Sequence, residues 1–199
     1  GPSRLTDPAD YLELPVGDFL EQVRQRSPAP GGGAVAALVT AMASSLCAMA
    51  GRFSEPPDAG PSPLVRRAIA LADAAPPLAR ADAVAYGRFL EARRLPREPD
   101  PEARRQAIAE ATSGAAEVPL QVARLAAEAA ELGATIATEG NPNLRGDAIT
   151  AALLGAAAAR AAATLVGINL AGRDDPRVEE SARLAATAEE ASRRAAARG

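Results

Sequence analysis

Between Ser27 and Phe53 the chain reads SPAPGGGAVAALVTAMASSLCAMAGRF, a proline-bounded triple glycine followed by small and apolar residues with no charge before Arg52. Pro28 and Pro30 stop any helix arriving from upstream. Gly31 to Gly33 permit close backbone approach, and the alanines that follow favour helix. A helix is therefore predicted from near Gly33 to about Arg52. Its first N–H groups have no partner within the helix, so the loop is either a tight turn before a buried helix or a cradle for an anion or polar oxygen. Leu38, Met42, Leu46 and Met49 form a larger stripe, while Ala36, Ala37, Ala43, Ser44 and Ala48 leave the backbone approachable. Small residues dominate and the flanks carry neither an aromatic belt nor a basic cluster. Burial on nearly all sides is thus expected, rather than a membrane span.

Such a helix must pack against others like it. The 199 residues suit one domain, 1–199, and with three Phe, two Tyr and no Trp the interior has to be built from Ala, Leu, Val and Ile. The net charge is -3 and every one of the 22 basic residues is Arg. Nucleic acid is an unsuitable partner, because a neutralising basic stripe and stacking aromatics are both missing. There is no His, and the single cysteine, Cys47, lies in the apolar run. That excludes an internal disulfide, zinc sites of the His/Cys kind and Ser–His–Asp or Cys–His catalysis, and it suits a reducing cytoplasm. No metal or cofactor is expected, and proton transfer is left to carboxylates, Tyr or water. Gly1-Pro2 reads as a remnant of tag cleavage, with no signal peptide after it.

Val16, Phe19, Leu20 and Val23 share one face of a short amphipathic helix, read as a lid, that ends before Pro28. From Leu64 to Leu95 a helical pattern resumes, with Pro76 and Pro77 placed to kink or restart it. Asp82 and Tyr86 are four apart and share a face there. Glu102 to about Thr138 is the next long helix, with a bend expected at Pro119. Gly140-Asn-Pro-Asn-Leu-Arg-Gly-Asp147 is then a second polar loop opening a second small-residue helix, Ala148 to Leu170. This repetition of loop and buried helix gives reason to expect that the two loops converge. Arg160, amid alanines, argues for a charge paired in an interface. Asn169 either caps local backbone or faces a ligand. Asp174 and Asp175 before Pro176 start a last, charged helix. The fold class that follows is all-α, a bundle of five to six helices with two buried Ala/Gly-rich helices at its centre.

SPAPGGGAVAAL, ADAVAYGRFLEARRLPRE (Ala81 to Glu98), GNPNLRGDAITAALL (Gly140 to Leu154) and LVGINL (Leu165 to Leu170) occur in that order across most of the chain. Together they resemble the cyclodeaminase/cyclohydrolase family of folate enzymes. The sequence departs from the family pattern at Ala34, where Ser often follows the glycines, at Arg97 in place of Lys, and at Arg80 in place of an acid. The resemblance implies a homodimer with its site near the subunit interface, a tetrahydrofolate one-carbon derivative as substrate, and no separate cofactor. It implies one of two reactions. One closes 5-formiminotetrahydrofolate to the 5,10-methenyl form with loss of ammonia; the other hydrates the methenyl form to 10-formyltetrahydrofolate. A helical scaffold without activity is the alternative from a different class.

Both reactions pass through a tetrahedral carbon between two nitrogens and need a base and an acid. With no His, Asp82 and Asp147, placed by the motifs, are the candidate catalytic residues. The resemblance further implies substrate contacts from Ser27, Pro30, Gly31, Gly32, Gly33, Tyr86, Asn141, Asn143, Arg145 and Asn169. Of these, the asparagines have the donors and acceptors suited to a pterin, and Arg145 has the charge suited to the folate tail.

Overall fold

Prolines set where most of the helices begin. The computed structural model describes residues 10–197, with no strand among them. Its helices are α1 (Val16–Arg24), α2 (Gly32–Arg52), α3 (Pro63–Ala74), α4 (Pro76–Arg94), α5 (Pro101–Glu139), α6 (Arg145–Asn169) and α7 (Pro176–Ala196). Helices α3, α4, α5 and α7 each carry Pro in the first turn, where its missing N–H costs nothing and its fixed φ suits the helix. Three of them have a side-chain cap one residue earlier: Ser62 accepts from Val65 N–H at 3.2 Å, Asp100 from Ala103 N–H at 2.9 Å, and Asp175 from Arg177 N–H at 3.0 Å. Only Ala75 separates α3 from α4, so Pro76 and Pro77 restart the helix, and counting this broken pair as one gives six, within the five to six expected. Helix α5 continues through the buried Pro119. The tag remnant Gly1-Pro2 lies outside the described residues.

An alanine-rich interior holds together because it lets helix backbones touch. The short loop at 140–144 makes α5 and α6 an antiparallel hairpin. A Cβ at Gly133 would lie 2.8 Å from Ala152 N and 2.9 Å from Ala148 O; one at Gly155 would lie 2.9 Å from both Ala126 O and Ala130 N. Each is a backbone contact that cannot swing aside. Gly133→Ala and Gly155→Ala are therefore expected to destabilise the fold by about 1–3 kcal/mol each. Gly87→Ala, whose added methyl meets nothing within 4 Å, should be neutral or stabilising. Urea unfolding of the three variants checks this, and equal midpoints would disprove the close approach. Around this hairpin α2, α3, α4 and α7 complete the core. Cys47 is fully buried against Ala129 O, and burial pushes its thiol up to about 12, an unreactive group.

Burial departs from the sequence reading on the outer faces of α2 and α6. Both α2 and the segment 142–169 are long and apolar enough to cross a membrane, but 61% of the apolar window is buried in the first and only 39% in the second. Met42 on α2 and Leu153 and Ile168 on α6 are 55%, 50% and 64% exposed. Gly146, Thr150, Leu153, Ala157, Ala161, Thr164 and Ile168 form one exposed stripe at helical spacing. Arg160 stands exposed beside it, with no ion pair among the described residues. Helix α1 is likewise only half covered. Val16 and Leu20 face outward, while Phe19 meets Tyr11 edge to face at 5.6 Å.

Candidate functional site

The N-terminus of α2 and the middle of α4 meet at one point. Gly33 is buried, and the position its Cβ would take is 2.1 Å from Asp82 Oδ1 and 2.7 Å from Oδ2. Glycine is required here because the carboxylate occupies the space of a side chain. Asp82 accepts a hydrogen bond from Ala34 N–H, one of the helix donors left without an intrahelical partner. Two effects oppose each other at this carboxyl. Burial disfavours the anion, whereas the N–H and the helix dipole favour it. Burial is the larger, and Asp82 is held above the ordinary carboxylate range. Tyr11, buried in the 3-10 turn Tyr11–Glu13, is pushed up by its own burial and then by the negative charge of Asp82.

In front of Asp82 opens a cavity of about 430 Å³, within the usual size for a small-molecule site. The glycines form its polar floor. Tyr86 and Phe89, 6.0 Å apart between ring centroids, form one wall, with Arg93 stacked 5.7 Å from the Phe89 centroid. Pro119, Leu165 and Ile168 form an apolar wall, and Asn169, at the last turn of α6, adds an amide. Thr112 also lines it, its hydroxyl donating to Ile108 O at 2.5 Å. Ser27 and Pro30 do not line it: Ser27 is exposed, its Oγ donating to Ala29 O, and Pro30 is buried. Of the residues expected from sequence, Gly31, Gly32, Gly33, Asp82, Tyr86 and Asn169 thus line one cavity. Sequence reasoning missed Tyr11, Phe89 and Thr112. Phe89 had a signal, three residues beyond Tyr86 on the same helical face.

The second loop lies elsewhere. Asn141 is committed to local structure: its N–H donates to Ser54 Oγ at 2.8 Å, its Nδ2 to Phe53 O at 3.0 Å, and its Oδ1 accepts from Asn143 N–H at 2.9 Å. Arg145 Nη2 donates to Ala197 O at 2.6 Å and Ala195 O at 3.4 Å, tying down the end of α7. These contacts hold the loop at the C-terminus of α2, while the cavity sits at its N-terminus. Asp147, in the first turn of α6, and Leu165, in the cavity, are 18 residues apart. That is five turns, or about 27 Å along one side of the helix. The expected convergence of the two loops does not occur within one chain, and Asp82 is the carboxylate in the cavity.

This arrangement can bind a flat polar ring between aromatic and aliphatic walls, with amides at its edge, and can move a proton through Asp82. Among the described residues, no three His, Cys, Asp or Glu side chains are grouped as a metal would need.

The profile of the formiminotransferase-cyclodeaminase family matches residues 15–188. The methenyltetrahydrofolate cyclohydrolase of Methylorubrum extorquens is 31% identical over 165 residues, 79% of each chain. The formimidoyltransferase-cyclodeaminase of Sus scrofa is 35% identical over 124 residues, which make up 58% of this chain and 23% of that longer protein. The crystal structure of formiminotetrahydrofolate cyclodeaminase from Thermotoga maritima superposes with a TM-score of 0.79 at 27% identity, covering 92% of this chain and 94% of that one.

Proposed function

Because the chain belongs to the formiminotransferase-cyclodeaminase family, we propose that it acts on the one-carbon unit between N5 and N10 of tetrahydrofolate, as a formiminotetrahydrofolate cyclodeaminase. The observation that carries the reading is the half-buried Asp82 at the floor of the cavity, with its pKa raised. In the proposed reaction N10 attacks the formimino carbon, the C–N10 bond forms, and the N10 proton must leave. Ammonia then departs and needs a proton. A carboxyl whose pKa lies above the usual range can accept the first and supply the second, because it is less strongly acidic and holds its proton nearer neutral pH. The same anion stabilises the cationic amidinium of the methenyl product. Tyr86 and Phe89 would flank the pterin, and Asn169 and the Gly31–Gly33 amides would meet its polar edge. No cofactor enters this chemistry, and we place the protein in the cytoplasm.

A second reading, methenyltetrahydrofolate cyclohydrolase, is favoured by the similarity to the Methylorubrum extorquens protein over 79% of both chains. There Asp82 would activate water instead. Purified protein offered 5-formiminotetrahydrofolate is expected to release ammonia as the near-ultraviolet absorbance of the methenyl product grows. Inertness toward that compound with faster loss of added methenyltetrahydrofolate would make the protein a hydrolase. Inertness toward both, with no folate-dependent rise in melting temperature, would make it a scaffold.

We further propose a homodimer formed through the uncovered face of α2 and α6. A two-fold axis across α6 near Ala157 exchanges the ends of the helix. Residues 147 and 167 are each ten from Ala157, so Asp147 of the partner subunit would stand beside the Leu165–Asn169 end of the cavity. On this reading the two candidate carboxylates meet across subunits.

A further inference from the structure

We propose that the face of α5 turned to the cavity recognises the 2-amino group of the pterin through two acceptors, Ala115 O and Thr112 Oγ1. This rests on the folate reading above and adds to it the contact that selects the ring. Thr112, Ala115 and Pro119 line the cavity from α5, at the spacing of one helical face. Pro119 lies inside the 39-residue helix and is buried. Having no N–H, it leaves Ala115 O without the donor that an α-helix supplies from four residues on, and the gap lies on the face these two residues share. No side chain among the described residues donates to Ala115 O. The hydroxyl hydrogen of Thr112 is committed to Ile108 O at 2.5 Å, so toward a ligand its oxygen can only accept.

The two acceptors match the amino group in separation and in place. Residues three apart on a helix face have their Cβ atoms about 5–6 Å apart, and two oxygens that each accept from one NH2 group at the ordinary N–H···O distance stand about 5 Å apart. Arg104 Nε donates to Leu95 O and its Nη2 to Arg93 O, both at 2.9 Å, across the short connection that makes α4 and α5 antiparallel. Thr112 therefore stands toward the Tyr86–Phe89 wall and Pro119 toward Asp82. In a tetrahydropterin the 2-amino group lies at the opposite end of the bicycle from C6, the carbon that carries the N10 arm. With the reacting carbon at Asp82, the amino end is directed along α5 toward Ala115 and Thr112. The amides of Gly31 to Gly33 are donors, suited to the ring oxygen, and cannot receive an N–H.

The test is steady-state kinetics on the 5-formimino and 5,10-methenyl derivatives of tetrahydrofolate and of 2-deaminotetrahydrofolate, in which hydrogen replaces the 2-amino group. The parent protein is expected to prefer the amino form by about 100-fold in kcat/KM, because the deamino form leaves both acceptors unpaired. Thr112→Val, similar in shape but without the oxygen, should cut that preference about tenfold, the scale of one hydrogen bond, through KM with kcat within about twofold. Thr112→Ser should keep the preference. Pro119→Ala, which returns an N–H to Ala115 O, should also cut it about tenfold while melting no lower than the parent. The altered reactivity of the analogue is common to every variant, so the change in ratio reports the contact. With the parent active, equal use of both forms by the parent, an undiminished preference in Thr112→Val or Pro119→Ala, or its loss in Thr112→Ser would overturn the assignment and leave the folate reading intact. A parent protein that neither binds nor converts any of the four compounds would overturn both.

Discussion

Asp82→Asn is expected to reduce turnover by roughly 10²–10⁴-fold, the scale of a lost general acid or base, while the melting temperature at neutral pH stays the same or rises. The two halves of this expectation have one cause. Burial is the largest influence on Asp82 and raises its pKa in the folded protein. A carboxyl raised in this way favours folding when protonated. That contribution is complete below the unfolded value and is lost as pH rises through the folded one. At neutral pH the ionised Asp82 therefore costs stability. Asparagine keeps an oxygen to accept from Ala34 N–H and removes the charge that burial penalises. A residue serving only as a cap for α2 would behave differently, with turnover retained.

Gly33→Ala offers an independent route to the same result, since its methyl would fall 2.1 Å from Asp82 Oδ1 and must displace the carboxylate. Single-turnover rates and thermal melts of both variants decide the matter. Wild-type turnover in Asp82→Asn would remove it from the chemistry. In the active enzyme the rate should fall on the acid side with an apparent pKa above the ordinary carboxylate range.

The elements around Asp82 were legible in sequence because local chemistry encodes them. Pro28, Pro30 and the triple glycine fix the start of α2, Pro76 and Pro77 restart α4, and Pro142 and the following turn start α6. What local pattern does not encode is which end of one helix meets which end of another. The loops before α2 and α6 are alike in composition, and likeness invited the idea that they meet. The short connection at 140–144 makes α5 and α6 antiparallel, and the Asn141 bonds to Phe53 and Ser54 pin the second loop to the far end of α2. Tyr11 was missed for a related reason. It lies in a three-residue 3-10 turn with no periodicity to mark a buried face, and only tertiary packing brings it near Asp82. Alanine also hides burial. The buried side of α6 is nearly all Ala and Gly while its exposed stripe carries Leu153 and Ile168, so residue apolarity does not mark the covered face, which becomes visible only once its neighbours are in place.

Mixing two inactive variants is expected to restore activity, because each proposed site takes Asp82 from one chain and Asp147 from the other. Asp147→Asn alone should fall by roughly 10²–10⁴-fold, like Asp82→Asn, despite lying about 27 Å along α6 from the cavity of its own chain. When the two variants are unfolded together and refolded in equal amounts, half of the dimers pair one of each. Every such mixed dimer holds one doubly substituted site and one intact site, so recovery should approach about a quarter of wild-type activity. Neither variant refolded alone should recover, and Ala157→Arg, which puts charge at the crossing point of the exposed stripe, should abolish both dimer and activity. Sedimentation at the assay concentration must show dimers for the comparison to count. A mixture that forms mixed dimers without regaining turnover would refute the shared site. So would an Asp147→Asn protein with wild-type turnover: its carboxylate would then serve only the N-terminus of α6, where a negative charge is favourable for the helix itself.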